Sequence, residues 1–329
     1  MKAILGSRLA GLVLALALFA ANATVDSAAA PEYPNKPIRL IYGASGSPGD
    51  IVARIVGESL GVALGQSIVV ENRTGAINTI ALAAVAKAEP DGYTLGGIGM
   101  VQTVAPSLLR QIPYDTARDL APVRQFSWVS QLLVIRSSSP VTSIPELVAA
   151  AKARPGRLTH ASGGNGTASH LVAELFKRHA ALDIQHIPFK GALPAMTAVM
   201  GEQVDLMFVP VPTVAPHVRG GKLRALATPA PARLSILPDV PTFVELGFAG
   251  LEVRDWHGIV APRGTPGPVI SRLAAEVTKA LARREVKDRL AAAGFEVVTD
   301  SGPAEFGAHI RSELARWAKV VRDAGIKAD

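Results

Sequence analysis

Two stretches of this sequence place glycines and hydroxyl side chains directly ahead of a helical pattern, a combination able to hold an anion. The first runs from Gly43 to Asp50 (Gly43-Ala44-Ser45-Gly46-Ser47-Pro48-Gly49-Asp50) and the second from Ser162 to His170, through Asn165, Gly166, Thr167 and Ser169. A helix N-terminus presents unpaired N–H groups and about half a positive charge, so it receives a carboxylate or phosphate without a cationic side chain. Glycine lets the backbone come close to a ligand, and Ser or Thr hydroxyls add donors. Two such loops in different parts of one chain predict an anion-binding cleft. Single residues there have a plainer reading too: Asp50 as a helix N-cap, His170 as a helix-surface or capping group, Lys190 as a solvated loop charge. Phe189 and Trp256 read as packing residues or as a cleft lining.

Catalytic patterns fit less well. Gly43-Ala44-Ser45-Gly46-Ser47 ends in serine, so the Gly-x-Ser-x-Gly elbow fails, and no base stands near Ser45 or Ser162 in sequence. No Gly-x-Gly-x-x-Gly or Gly-x4-Gly-Lys motif falls at a strand-to-helix junction. The seven histidines show neither His-x3-His nor His-Glu-x-x-His spacing, and cysteine is absent. Thiolate zinc sites, iron–sulfur clusters, disulfides and cysteine nucleophiles are therefore excluded, and neither metal nor cofactor is expected.

The elements that must position these loops alternate strand and helix. Pro37 to Tyr42 predicts a strand, and a helix from about Asp50 keeps Ile51, Val52, Ile55, Val56, Leu60 and Leu64 on one side, with Gly65 as its stop. Ser67 to Glu71 and Tyr93 to Ile98 read as strands around an Ala-rich helix, Thr79 to Ala88. Trp128 to Arg136 reads as one strand, Ser143 with Glu146 opens a helix, and strands follow at Leu158 to Ala161, Ile184 to Pro188, Val204 to Val209 and Leu223 to Ala227. Helices are predicted at Thr167 to Ala180, Ala192 to Met200 and from Thr265-Pro266 to Ala282, with a last one opened by Ser301. The class is α/β, with parallel sheets covered by helices and two lobes.

The chain has 329 residues, 49% of them apolar, enough for a large core. Its charge is 34 Lys and Arg minus 27 Asp and Glu, or +7. Residues 1–23 form a secretory signal: Lys2 and Arg8, a short apolar run from Leu9 to Ala21, then Ala21-Asn22-Ala23, with cleavage as late as residue 30. The apolar run is too short to span a membrane. Aromatics are 5% and no basic run exceeds Arg283-Arg284, so nucleic acid is not an expected partner.

Tyr33-Pro34-Asn35-Lys36-Pro37-Ile38-Arg39, Asp50-Ile51-Val52-Ala53-Arg54, Val70-Glu71-Asn72-Arg73, Pro90-Asp91-Gly92-Tyr93-Thr94-Leu95, Pro113-Tyr114-Asp115, Pro188-Phe189-Lys190-Gly191, Asp239-Val240-Pro241-Thr242 and Gly264-Thr265-Pro266 follow one another along the chain. Together they resemble the Bug-type substrate-binding proteins of tripartite tricarboxylate transporters, from about Tyr33 to the C-terminus. The resemblance implies a periplasmic binding protein, type II-like, whose two lobes are joined by crossing strands and close over a small organic acid. It assigns residues 31–131 with 251–329 to lobe one and 132–250 to lobe two. Carried over residue by residue, it assigns ligand binding to Tyr42, Ser45, Gly46, Ser47 and Asp50 in the first loop, and to Met100, Gln102 and Thr103 in a further pocket loop. In lobe two it assigns Ser162, Asn165, Gly166, Thr167, Ser169 and His170, with Phe189, Gly191 and Asp205 at the pocket edge or one layer behind it. The sequence departs from the family pattern at Ser47, Ile77 and Asn78, where glycines are usual, and at Phe189, where tyrosine is usual.

The implied function is that of an extracytoplasmic solute receptor: a soluble monomer, no enzyme, that delivers a small organic carboxylate to membrane transporter subunits. Two alternatives are a solute sensor reporting to a sensor kinase and a periplasmic hydrolase.

Overall fold

The computed structural model describes residues 33–326; the expected signal segment lies outside the described residues. From Lys36 onward the chain is one unit built on two sheets. The first sheet has the order β11-β4-β10-β3-β1-β2, formed by β1 (Ile38–Tyr42), β2 (Ile68–Asn72), β3 (Thr94–Gly99), β4 (Leu120–Val129), β10 (Asp255–Pro262) and β11 (Phe295–Val297). The second has the order β7-β6-β8-β5-β9, formed by β5 (Gln131–Arg136), β6 (Thr159–Ser162), β7 (Gln185–Pro188), β8 (Leu206–Pro210) and β9 (Leu223–Ala227). β1 pairs in parallel with β2 and β3, as β6 does with β7 and β8, while β10 runs antiparallel to β3 and β4. β1 is flanked by strands on both sides and is buried at every position but Arg39.

The stretch predicted as one strand, Trp128 to Arg136, divides at Ser130, where the chain leaves the first sheet for the second. It returns between β9 and β10, and Asp255 sits in register with Val129 beside the outgoing crossing. Helices cover the sheets: α1 (Pro48–Leu64), α2 (Thr79–Ala86), α3 (Met100–Leu108), α4 (Ile144–Ala153), α5 (Ala168–His179), α6 (Ala192–Met200), α7 (Val211–Arg219), α8 (Gly267–Ala282), α9 (Arg284–Ala292) and α10 (Pro303–Ala324).

Local chemistry sets their ends. Gly65 closes α1 in the left-handed conformation, and the Ser143 hydroxyl accepts the Glu146 N–H at the start of α4. The first helix starts two residues before Asp50, because Ser47 is its N-cap and Pro48 supplies a preset first turn. Ser301 does not open α10: Gly302 is the N-cap and the Ser301 hydroxyl instead accepts the Gln125 N–H. Packing fixes β10 against α10. Trp256, fully buried, meets Phe306 edge-on at 5.6 Å, and the buried Glu313 carboxylate accepts both indole N–H groups, from Trp256 (3.2 Å) and Trp317 (2.9 Å). Against the second sheet, Phe208 of β8 packs with Phe176 of α5 and with Phe243, forming a buried aromatic core.

Candidate functional site

A cavity of about 980 Å³ lies where the loops of both sheets meet. It is lined from the carboxyl ends of β1, β2 and β3 and of β6, β7 and β8, the position at which open α/β sheets collect ligands. Five helices direct their first turns at it: α1 through Pro48 and Gly49, α3 through Val101 and Gln102, α5 through Ala168 and Ser169, α6 through Ala192 and Leu193, α7 through Pro212 and Thr213. Among the lining residues Lys190 is the one Lys or Arg and Asp255 the one carboxylate. An anion here would be met by N–H groups and hydroxyls rather than by an ion-pair cluster.

The first loop is held from behind. Asp50, buried and outside the lining, accepts the Gly46 N–H (2.9 Å), Arg54 Nε (3.2 Å) and Asn72 Nδ2 (2.9 Å); Asn72 also donates to the Gly43 carbonyl (3.1 Å). Burial works to raise the Asp50 pKa, but these hydrogen bonds and the Arg54 charge outweigh it and hold the carboxyl below its usual range. Asp50 therefore shapes the loop. Ser45, Gly46 and Ser47 line the cavity, with the Ser47 hydroxyl accepting the Asp50 N–H (3.3 Å). The Tyr42 ring lies against Gly97 and Gly49, where a Cβ would stand 1.9 and 2.4 Å from ring atoms, so both neighbours must be glycine. The Tyr42 hydroxyl donates to the Gly258 carbonyl (3.3 Å), and burial first, then Asp255 and Asp50, push its pKa up.

The second loop is held by hydroxyls and an imidazole. Gly163 N–H donates to Ser169 Oγ (3.2 Å), the Thr167 hydroxyl to the Gly164 carbonyl (2.6 Å), and Gly166 N–H to His170 Nδ1 (3.1 Å). Asn165, Thr167, Ser169 and Gly191 line the cavity; Gly166 and His170 do not. Behind the loop, His186 stacks between His160 (4.7 Å) and His170 (4.1 Å), and its Nε2 is 2.6 Å from Ser162 Oγ. A base thus stands within reach of Ser162, which the sequence did not reveal. Ser162 is fully buried, outside the lining, and its hydroxyl accepts the Gly164 N–H (3.1 Å), so the pair buttresses the loop. Burial first, then the neighbouring His170 and His160, lower the His186 pKa to about 3. Burial opposes ionisation of Glu174, yet hydrogen bonds from His160 and Lys177 hold its pKa at about 2.

Besides Asp50, Ser162, Gly166 and His170, which lie behind the lining, four further expected contacts lie elsewhere. Met100 and Thr103 are fully buried in the first turn of α3, which is a helix rather than a loop; Gln102 alone of the three lines the cavity. Phe189 packs on the apolar core under the second sheet. Asp205 precedes β8 and accepts from Thr159 N–H (2.8 Å) and its hydroxyl (2.9 Å), at the strand ends opposite the cavity. Sequence reasoning missed Gln131, Asp255, His257 and Thr213, all in the lining; the 74–78 loop, where it had marked only the departures at Ile77 and Asn78, lines the cavity too. Within that loop Ala76, Ile77 and Asn78 all have positive φ (45°, 56° and 61°), so the residues standing where glycines are usual keep a glycine-like backbone.

Comparison with known proteins agrees with this architecture. BugT of Bordetella pertussis is 36% identical over 320 residues, covering 96% of each chain. The structure of the periplasmic binding protein BugD superposes with a TM-score of 0.83 at 34% identity, over 90% of this chain and 99% of that one. An R. palustris protein with adipate gives 0.85 at 32% identity, over 90% and 99%, and MatC from Rhodopseudomonas palustris with bound malate gives 0.81 at 33%, over 88% and 100%. The two-sheet α/β fold is that of these periplasmic binding proteins. The family model of the tripartite tricarboxylate transporter family receptor matches residues 52–326, and the chain belongs to that family.

Proposed function

We propose that this protein is an extracytoplasmic solute receptor that takes a small organic carboxylate into the cavity between its two sheets and delivers it to a tripartite tricarboxylate-type transporter in the membrane. The observation that carries this reading is the convergence of five helix first turns on a cavity with one cation in its lining. Partial charges and hydroxyls can hold a carboxylate without the desolvation penalty of a buried ion pair, and so permit release. The carboxylates named for the adipate and malate relatives support the same class of ligand. No helix among the described residues is long and apolar enough to cross a membrane, as a receptor freed from its signal segment requires. Residues 31–131 with 251–329 act as one lobe and 132–250 as the other, and the crossing at Ser130 is the hinge. Closure follows if the acid makes better contacts with both glycine loops at once than with either alone.

Thermal unfolding of the mature protein against mono-, di- and tricarboxylates tests this. An acid at one hundred times its Kd should stabilise by about 2.7 kcal/mol and raise Tm by a few degrees. Neutral amides lacking a carboxylate should give no shift, and an equal response to them would overturn the reading.

A further inference from the structure

The cavity wall at the strand crossing carries polar groups that neither loop uses. Gln131, 1% exposed, lines the cavity, and neither its Oε1 nor its Nε2 has a partner among the described residues. His257, 6% exposed, lines the same wall with its Nδ1 unpartnered. Asp255, also in the lining, accepts at Oδ1 from the N–H groups of Trp256 (2.8 Å) and Met100 (3.3 Å), while Oδ2 stands 3.8 Å from His257 Nε2. Buried polar atoms are ordinarily paired, and a buried amide unpaired at both ends is a departure that a ligand would explain.

The chemistry of the wall selects among ligand groups. A second carboxylate could take the Gln131 amide hydrogens but would face Asp255 and Gln131 Oε1, with no cation on this wall. An ammonium could take Oε1 and Asp255 but would leave the Gln131 Nε2 hydrogens unpaired. A carboxamide offers a donor and an acceptor side by side and pairs with a glutamine amide at both ends. We propose that Gln131, with Asp255 and His257 beside it, recognises a neutral carboxamide on a ligand whose carboxylate is held at the helix N-termini, so that the preferred substrates are monoamides of dicarboxylic acids. This inference rests on the carboxylate-receptor reading and narrows it.

Calorimetric titration of the mature protein with succinate, glutarate and adipate, each beside its monoamide and the matching ω-amino acid, tests it. The best monoamide should bind about tenfold more tightly than its diacid, the scale of one net hydrogen bond. Gln131→Leu should abolish that preference, so that monoamide and diacid bind alike, and its ligand-free Tm should match or exceed that of the parent, because two unpaired polar atoms are removed. Gln131→Met is the second variant should leucine not be accommodated. A diacid or ω-amino acid binding as well as the monoamide, or an unchanged monoamide affinity in both variants, overturns the proposal alone. No binding by any acid overturns the receptor reading and this one with it.

Discussion

The two glycine loops have the same outline and opposite supports. Around residues 43–50 the buttress is ionic: one buried carboxylate, Asp50, gathers a backbone N–H, an arginine and an asparagine. Around residues 162–170 it is made of hydroxyls and imidazoles where it touches the loop, with the Glu174–Lys177 pair set one layer further back. Loop geometry can thus be fixed by either chemistry, but the two respond differently to mutation and to pH. The first depends on a single group and the second on several weaker ones.

The sharpest way to separate them is Asp50→Ala. It leaves the Gly46 N–H, Arg54 and Asn72 without their acceptor, and should destabilise by about 2–4 kcal/mol and weaken carboxylate binding, as denaturant titration and calorimetry would show. An unchanged unfolding midpoint would place the support of this loop elsewhere. On the other side, Gly166→Ala puts a Cβ 2.7 Å from both Ile77 and Leu108 at a residue with φ of +74°, and should cost about 1–3 kcal/mol. Adding Ile77→Gly should recover part of that loss. Additivity of the two changes would show that Ile77 does not touch the second loop.

The smaller effects concern the hydroxyl and imidazole lattice. Thr167→Ala and Ser162→Ala each remove one hydroxyl, with an expected loss of about 1 kcal/mol; Ser162→Ala should spare binding because Ser162 is outside the lining. The pH profile gives a finer comparison. His186 is lowered from 6.5 to about 3, so the unfolded chain binds the extra proton first, and this support is full above 6.5 and weakens as pH falls towards 3. Glu174, lowered from 4.5 to about 2, adds stability that is present above 4.5 and lost on further acidification towards 2. His186→Gln should flatten the fall in Tm between about 6.5 and 4.5, where Glu174 does not yet titrate, and leave the fall below about 3. An equal slope in both proteins would contradict the assignment.

Much of the frame was legible in the chain. Helix ends written in local chemistry, such as Gly65 and Ser143, could be read directly, and so could both glycine loops, because a turn followed by an N-terminus is a short-range pattern. What could not be read depends on contacts between distant residues. Nothing in Trp128 to Arg136 marks Ser130 as a crossing, since both halves are apolar and extended. Asp205 and Pro210 bound the same short strand, and only the strand direction decides which of them meets the cavity. Phe189 follows β7 more closely than Gly191 does, yet its side chain turns to the core. Gln131, Asp255 and His257 come from strands separated by more than a hundred residues, with no shared motif to signal their meeting.

The most direct test of the central claim is a crystal structure of the mature protein with its tightest-binding acid. The account predicts the carboxylate between the first turns of α1 and α5, within hydrogen-bond distance of the two glycine loops and away from Lys190. A carboxylate seated on Lys190, or outside the cavity altogether, would contradict it.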